Sequence, residues 1–378
     1  MLTTSAAATG STWADWARQP RVAAKRTHEG ADIPSVAPLA GTTRPVTFVE
    51  PEESFFSQSL RGFALSVGTL GLYSFWVRAD ARRQLHRAIR VGGHPLDYSG
   101  TGGEALASFV MGTATTVLLV SVFLYFFTSS GLTGEQARAA MADFRLRRLF
   151  ISIPLLFLLG SVAYRKRKHM LRRTWWRGQH FDLDGQPWSY ALQHFWTAFL
   201  VPLTLGWAAP WRASRLEQRK INEMHHGAQR FQSDANVTPL YRAFTALWFG
   251  GGTIYVTTMA LLGLTIGEPL LAAISTQSLA ALMQPSVFRT GLTVVGCGLT
   301  PVAGFILYYR AAWLEHQISS LIFDGMRLQL QLPKARFAGL MLWNGLIKII
   351  SFGALQPVAN AALVRFVVAR IKAVPQVG

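Results

Sequence analysis

The chain has 378 residues, of which 50% are hydrophobic and only 15% are charged, against about 25% charged residues in ordinary soluble domains. Its 37 Lys and Arg outnumber its 19 Asp and Glu, so the formal net charge is +18. Because the apolar residues come in long blocks, the composition argues against a soluble domain and predicts a polytopic membrane protein. Cys297 is the single cysteine, which excludes an intrachain disulfide and a cysteine-rich zinc site.

The first 50 residues differ from the rest of the chain. They mix Ala, Ser, Thr and Pro with scattered basic residues and lack the apolar core of a secretory signal. We therefore expect a disordered cytoplasmic tail over residues 1–50. The remaining chain divides into a first membrane repeat, 51–189, a second membrane repeat, 190–336, and a third partial repeat with a C-terminal tail, 337–378.

Four apolar segments are predicted to span the bilayer. About 30 Å of hydrocarbon requires about 20 residues of helix. Glycines such as Gly250 and Gly298 would allow the last two helices to approach each other closely. The four segments are residues 105–127, 149–164, 241–266 and 290–313.

Three further apolar stretches, 62–76, 190–211 and 337–358, each contain a break in the helical pattern. The first two breaks share Thr, Leu, Gly and Trp at identical spacing, whereas the third has Ser351 and Gly353 but no Trp. Such self-similarity indicates an internal duplication with a degenerate third copy. The shared positions of the first two breaks are Thr69, Gly71, Trp76, Thr204, Gly206 and Trp211.

Short glycine-led segments recur after the basic parts of the chain, and Gly93 and Gly178 open the first two of them. Their alternation of apolar and polar residues predicts strands that lie together in a small cytoplasmic sheet. Asp97 and Asp182 occupy equivalent places and are expected to satisfy turn amides. The four segments are 93–100, 178–185, 227–231 and 325–330.

The distribution of Lys and Arg predicts the topology. Basic residues flank the stretches 190–211 and 337–358 on both sides, so both flanks should be cytoplasmic and each stretch should re-enter rather than span. A rival arrangement has seven full spans, and the basic residues within 128–148 favour it. We expect an all-α polytopic membrane protein of two tandem repeats, each with a re-entrant broken helix and a transmembrane hairpin, plus a third re-entrant stretch and a small cytoplasmic β element.

The run Thr69 to Trp76, followed by an Arg-rich helix and by Gly93 to Gly100, resembles the YjgN-like family of bacterial inner-membrane proteins. The second copy, with Thr204 to Trp211, fits the same pattern. The resemblance implies a multi-pass location in the bacterial inner membrane with cytoplasmic termini, and it implies no activity because the family is one of unassigned function. Two departures are a short first stretch and the missing Trp of the third copy, where Val358 stands.

No catalytic motif is recognisable, so we expect no enzyme activity, no cofactor and no metal site. His225 and His226 are adjacent, and adjacent residues diverge on a helix or strand, so they do not chelate one ion by themselves. The aromatic residues that crowd the ends of apolar stretches are typical of the membrane–water interface.

Two groups of three arginines are each predicted to lie on one side of their own helix. Basic clusters beside a membrane attract anionic lipid, so the lipid bilayer and anionic phospholipids are the expected partners, with a protein partner or a second copy of the chain as further possibilities. Nucleic acid is not expected, because the basic residues follow the membrane edges. The predicted lipid-binding residues are Arg83, Arg87, Arg90, Arg212, Arg215 and Arg219.

Three functional hypotheses follow. The first is a transport or channel-like role for a small or amphipathic solute, because many transporters build their sites from repeats with broken helices. The second is a non-catalytic membrane scaffold or accessory subunit that binds anionic lipid and a partner protein. The third is a membrane-embedded enzyme, which the sequence favours least.

Overall fold

The computed structural model describes residues 45–128, 156–234, 236–275 and 284–375. The predicted disordered tail lies almost entirely outside these residues, as do the first residues of the predicted span 149–164. The described chain combines helical hairpins, long apolar helices and two antiparallel β-sheets.

Each of the three broken stretches forms two helices joined by a tight turn, and the two helices of a pair contact each other. The first helical hairpin consists of α1, Phe55–Gly68, and α2, Ser74–Ala88. Two further long segments follow, α3, Gly102–Thr128, and α4, which is helical over 156–172. The second helical hairpin consists of α5, Pro187–Leu203, and α6, Ala209–Asn222.

The long apolar helices of the second repeat come next. They are α7, Thr238–Thr245, a π-helical turn, Ala246–Gly251, α8, Gly252–Ser275, and α9, Pro285–Ser319. The third helical hairpin consists of α10, Lys334–Ile350, and α11, Gln356–Val368.

Four β-hairpins follow helices. In the first, second and fourth, the turn contains a glycine with φ between +69 and +81°, which favours the two-residue turns of tight hairpins. Gly93 and Gly178 both lie at φ +81° in these turns. The strands are β1 Val46–Phe48, β2 Ile89–Val91, β3 His94–Tyr98, β4 Thr174–Trp176, β5 Gln179–Leu183, β6 Met224–His226, β7 Gln229–Arg230, β8 Gln232–Ser233, β9 Leu321–Phe323, β10 Met326–Leu330 and β11 Ile371–Pro375.

Strands β1 to β7 form one antiparallel sheet in sequential order, and a second antiparallel sheet has the order β11-β10-β9-β8. The expectation of an all-α protein with a small β element is therefore wrong. The predicted strands are present, but each is only the second half of a β-hairpin. The first halves are three residues long and follow a helix at once or after one residue, so they show no alternation that a sequence pattern could reveal.

Two of the described helices are long and apolar enough to cross a membrane by length and composition, Thr238–Ala273 and Pro285–Ser319. The expectation of four spanning helices is supported for these two only. They pack closely at their glycines: a Cβ at Gly250 would lie 2.7 Å from the Phe305 ring, and one at Gly291 would lie 2.7 Å from Ile266.

The main hydrophobic core joins the two sheets. Trp176 and Met224 from the seven-stranded sheet are buried together with Phe323 and Met326 from the four-stranded sheet. The Phe231 ring stacks on the Phe323 ring with centroids 4.2 Å apart. The two sheets therefore share one hydrophobic core.

Candidate functional site

The turns of the three helical hairpins have the same backbone conformation. In each turn a residue with φ of +49 to +51° precedes a glycine with φ of +83 to +89°. Residues with a Cβ avoid this left-handed region, so the glycine suits the turn. The pairs are Leu70 and Gly71, Leu205 and Gly206, and Phe352 and Gly353.

A hydroxyl group closes each turn. The Thr69 Oγ1 accepts a 3.0 Å hydrogen bond from the Tyr73 N–H, and the Thr204 Oγ1 accepts one of 2.9 Å from the Ala208 N–H. In the third copy the Ser351 Oγ accepts from the Leu355 N–H at 3.1 Å. The degenerate third copy therefore keeps the geometry although it has lost the Trp.

The tips of the three turns present apolar side chains to the outside. Leu70 is 97% exposed, Leu205 78% and Phe352 94%. Trp76 and Trp211 lie at the start of the second helix of their hairpins and are each 38% exposed. Apolar surface at three equivalent tips indicates an apolar environment around them.

A cleft of about 440 Å³ lies between the first and third helical hairpins. Its lining combines apolar side chains, such as Phe63, Val67 and Phe352, with the side chains of Arg78 and Arg82. Among the described residues, no acidic side chain lines it. The cleft thus offers a ligand both apolar surface and positive charge.

Polar groups line this cleft and lie beside it. Arg78 is exposed and has no ion-pair partner among the described residues, whereas Arg82 donates to the Tyr98 hydroxyl at 3.3 Å. The Lys348 Nζ donates to Asn360 Oδ1 at 3.1 Å, so the lysine in the middle of the third apolar stretch has a polar partner. Asn360 itself lines the cleft. No local pattern predicts Asn360 as a cleft residue, because nothing in the chain order brings α11 beside α2.

The six arginines predicted to bind lipid are not equivalent. In the first group, Arg83 donates to Asp80 at 2.9 Å and to the Gly100 carbonyl at 2.9 Å, and Arg87 donates to Asp97 at 3.1 Å. Arg90 is exposed but lies on strand β2 and not on the helix, so the helical-wheel argument does not apply to it.

The second group is largely engaged within the protein. Arg219 bonds to Glu223 at 2.8 Å, to the Ser189 hydroxyl at 2.8 Å and to Gln193 at 2.9 Å. Arg212 donates to the His194 carbonyl at 3.1 Å. Arg215 is exposed and has no partner among the described residues. Four of the six side chains therefore have protein partners that an anionic lipid would have to replace or share.

The equivalent aspartates Asp97 and Asp182 bind equivalent arginines. Arg87 pairs with Asp97 at 3.1 Å, and Arg172 pairs with Asp182 through two bonds of 2.9 Å. Burial raises the pKa of Asp182, but the hydrogen bonds from Arg172 and from the Leu183 N–H outweigh it, so this pKa lies below its usual value. Each pair ties a β-hairpin to the helix before it.

The histidines also have structural surroundings. His226 is buried, and its Nε2 lies 3.0 Å from the Trp176 carbonyl. Burial lowers the pKa of His226, so its imidazole is neutral at pH 7. Among the described residues no group of three or more His, Cys, Asp and Glu side chains is placed to hold a metal ion.

Comparison with protein-family models identifies one match. The model of a family described as bacterial protein of unknown function, DUF898, matches residues 43–377, which include every residue that the structure describes. No curated protein and no solved structure matches the chain. The chain therefore belongs to the DUF898 family of bacterial proteins.

Proposed function

We propose that this protein, as a YjgN-like member of its family, is a multi-pass protein of the bacterial inner membrane that binds an anionic phospholipid in the cleft between its first and third helical hairpins. The observation that carries the proposal is the lining of the cleft. Apolar side chains lie beside Arg78 and Arg82, and no acidic side chain in the described part of the chain lines the cleft.

The dimensions of the hairpins support a re-entrant placement. The 14 residues of α1 extend about 21 Å at about 1.5 Å per residue, which is shorter than the hydrocarbon layer of about 30 Å. A hairpin of this length with an apolar tip would enter the bilayer without crossing it. Arg78 and Arg82 lie about 6 and 12 Å along α2 from Ser74, so a phosphate would meet them inside the cleft.

Retention of phosphatidylglycerol tests the proposal. Protein in nanodiscs of mixed phosphatidylglycerol and phosphatidylcholine should retain the anionic lipid on transfer to detergent, as measured by native mass spectrometry. Arg78→Gln should weaken retention by about tenfold, because a charge-assisted hydrogen bond to phosphate contributes about 1.5–3 kcal/mol. Arg336→Gln is the matched control, since Arg336 is exposed on the third hairpin but does not line the cleft. Equal retention by the two variants would refute the site.

Cysteine labelling tests the re-entrant topology against seven full spans. Gln186 and Arg215 are exposed on either side of the stretch 190–211, and Leu205 is at the tip of the second hairpin. In a Cys297→Ala background, Gln186→Cys and Arg215→Cys should both resist an impermeant thiol reagent in intact cells and react in inverted vesicles. Leu205→Cys should react in neither. Labelling of one flank from the periplasmic side would establish a full span.

Transport is a further step beyond lipid binding. The hypothesis rests on the repeated broken helices, and movement of labelled phosphatidylglycerol between leaflets of reconstituted vesicles would test it. A scaffold would bind the lipid without moving it, so wild-type retention with no movement in this assay would favour the scaffold.

A further inference from the structure

A second cavity lies between the two β-sheets, away from the cleft. It has a volume of about 290 Å³ and is bordered by strands of both sheets and by α4. Most of its lining is apolar, and Trp176, Met224, Phe323 and Met326 in that lining belong to the main hydrophobic core.

The cavity is partly open to the outside, so a ligand could enter it. Apolar cavities of about 150 Å³ accept benzene-sized molecules. Among the described lining residues, polar side-chain groups are carried by Thr174, Arg167 and Trp176, whose indole N–H donates to the Val91 carbonyl at 3.1 Å. The Thr174 hydroxyl already donates to the Met170 carbonyl at 3.0 Å, so the cavity offers water little to bind.

Arg167 supplies the charge at the edge of this cavity. Its side chain is exposed on α4 and has no ion-pair partner among the described residues. Lys166 and Lys168 adjoin it in the sequence, and the residues that the structure describes place no acidic side chain in the lining of the cavity. An apolar chamber with an unpaired guanidinium group at its edge is complementary to an apolar chain that ends in an anion.

We propose that the chamber between the two sheets binds the acyl chain of a fatty-acid carboxylate, whose head group pairs with Arg167. The apolar chain would fill the space between Trp176, Phe323 and Met326, and the carboxylate would remain at the edge. This site is separate from the phospholipid cleft, because the two share no lining residue.

Binding of dodecanoate to the full chain in phosphatidylcholine nanodiscs tests the proposal by calorimetry. Dodecanoate should bind more tightly than uncharged dodecanol, and Arg167→Gln should weaken dodecanoate binding by about tenfold. Lys166→Gln is the matched control and should bind as the wild type does. Arg78→Gln, which tests the cleft, should leave dodecanoate binding unchanged, so the two proposals fail separately.

A larger side chain that fills the chamber provides a second test of the proposal. Ala373 lines the chamber from β11, and Ala373→Phe should abolish dodecanoate binding while the unliganded protein keeps its melting temperature. If that variant does not fold, Arg167→Gln decides the matter. Equal affinity for dodecanoate in Arg167→Gln and the wild type, equal binding of dodecanol, or unchanged binding in a folded Ala373→Phe protein would overturn the proposal.

Discussion

The first and second helical hairpins have the same turn but different surroundings. The turn of the second hairpin is covered: the Trp248 indole donates to the Leu205 carbonyl at 3.0 Å, and a Cβ at Gly206 would lie 3.5 Å from the same indole. The turn of the first hairpin is open, since nothing lies within 4 Å of a Cβ built at Gly71. The same sequence motif therefore forms a turn that contacts a neighbouring helix in the second repeat and the edge of a cleft in the first.

The surroundings of individual arginines differ too. In the second hairpin Arg219 joins the start of α5 to the end of α6 through Ser189, Gln193 and Glu223. Each hairpin also has an exposed arginine without a partner among the described residues, Arg78 in the first and Arg215 in the second, and of these two it is Arg78 that lines the cleft. An arginine that holds the protein together is unavailable to a ligand, whereas an unpaired one beside a cavity is available. The difference between the repeats, rather than the repeat itself, indicates where a ligand binds.

The largest expected effect is on the covered turn. Gly206→Val places a β-branched residue at φ +89° and should lower the free energy of unfolding by about 2–3 kcal/mol, because that conformation is strained and the Trp248 indole limits relaxation. Gly71→Val carries the same strain in open space and should cost less. Thermal unfolding of both variants in the same detergent measures the difference. Equal losses of stability in the two variants would mean that the contact with the Trp248 indole contributes nothing.

A smaller effect is expected from the arginines. Arg219→Gln should lower the free energy of unfolding by about 1–2 kcal/mol, because bonds from a partly buried charge to Glu223, Ser189 and Gln193 are lost. Arg78→Gln should change it by less than about 0.5 kcal/mol, as for surface substitutions. Chemical denaturation distinguishes the two, and a stability loss in Arg78→Gln would show that Arg78 is structural.

The two repeats should also contribute differently to the pH dependence of stability. His226 in the second repeat stands where Val91 stands in the first, and burial lowers its pKa. The unfolded chain therefore takes up a proton near pH 6.5 that the folded chain resists, so stability falls as the pH drops below that value. Burial also lowers the pKa of His86, so His226→Val should reduce the acid dependence without removing it. An unchanged pH profile of thermal unfolding in His226→Val would contradict this assignment.

Local patterns predicted the local structure, and they failed where distant segments meet. The Thr-Leu-Gly spacing identified the three breaks, and the glycine-led segments identified β3, β5 and β10, because turns and alternation depend on neighbouring residues. The first strands of the β-hairpins were missed because three residues such as Leu321 to Phe323 carry no readable period. The pairing of α2 with α11 that forms the cleft joins residues far apart in the sequence, so no local pattern contains it.

The central claim is that the open hairpin holds an anionic phospholipid while the covered hairpin does not. Phe63 lines the cleft and is 42% exposed, so a photoreactive phenylalanine derivative at this position reports directly on what fills the cleft. In vesicles with equal phosphatidylglycerol and phosphatidylcholine, irradiation should attach phosphatidylglycerol in excess, and Arg78→Gln should remove that excess. Equal attachment of the two lipids, or an excess that survives Arg78→Gln, would contradict the account.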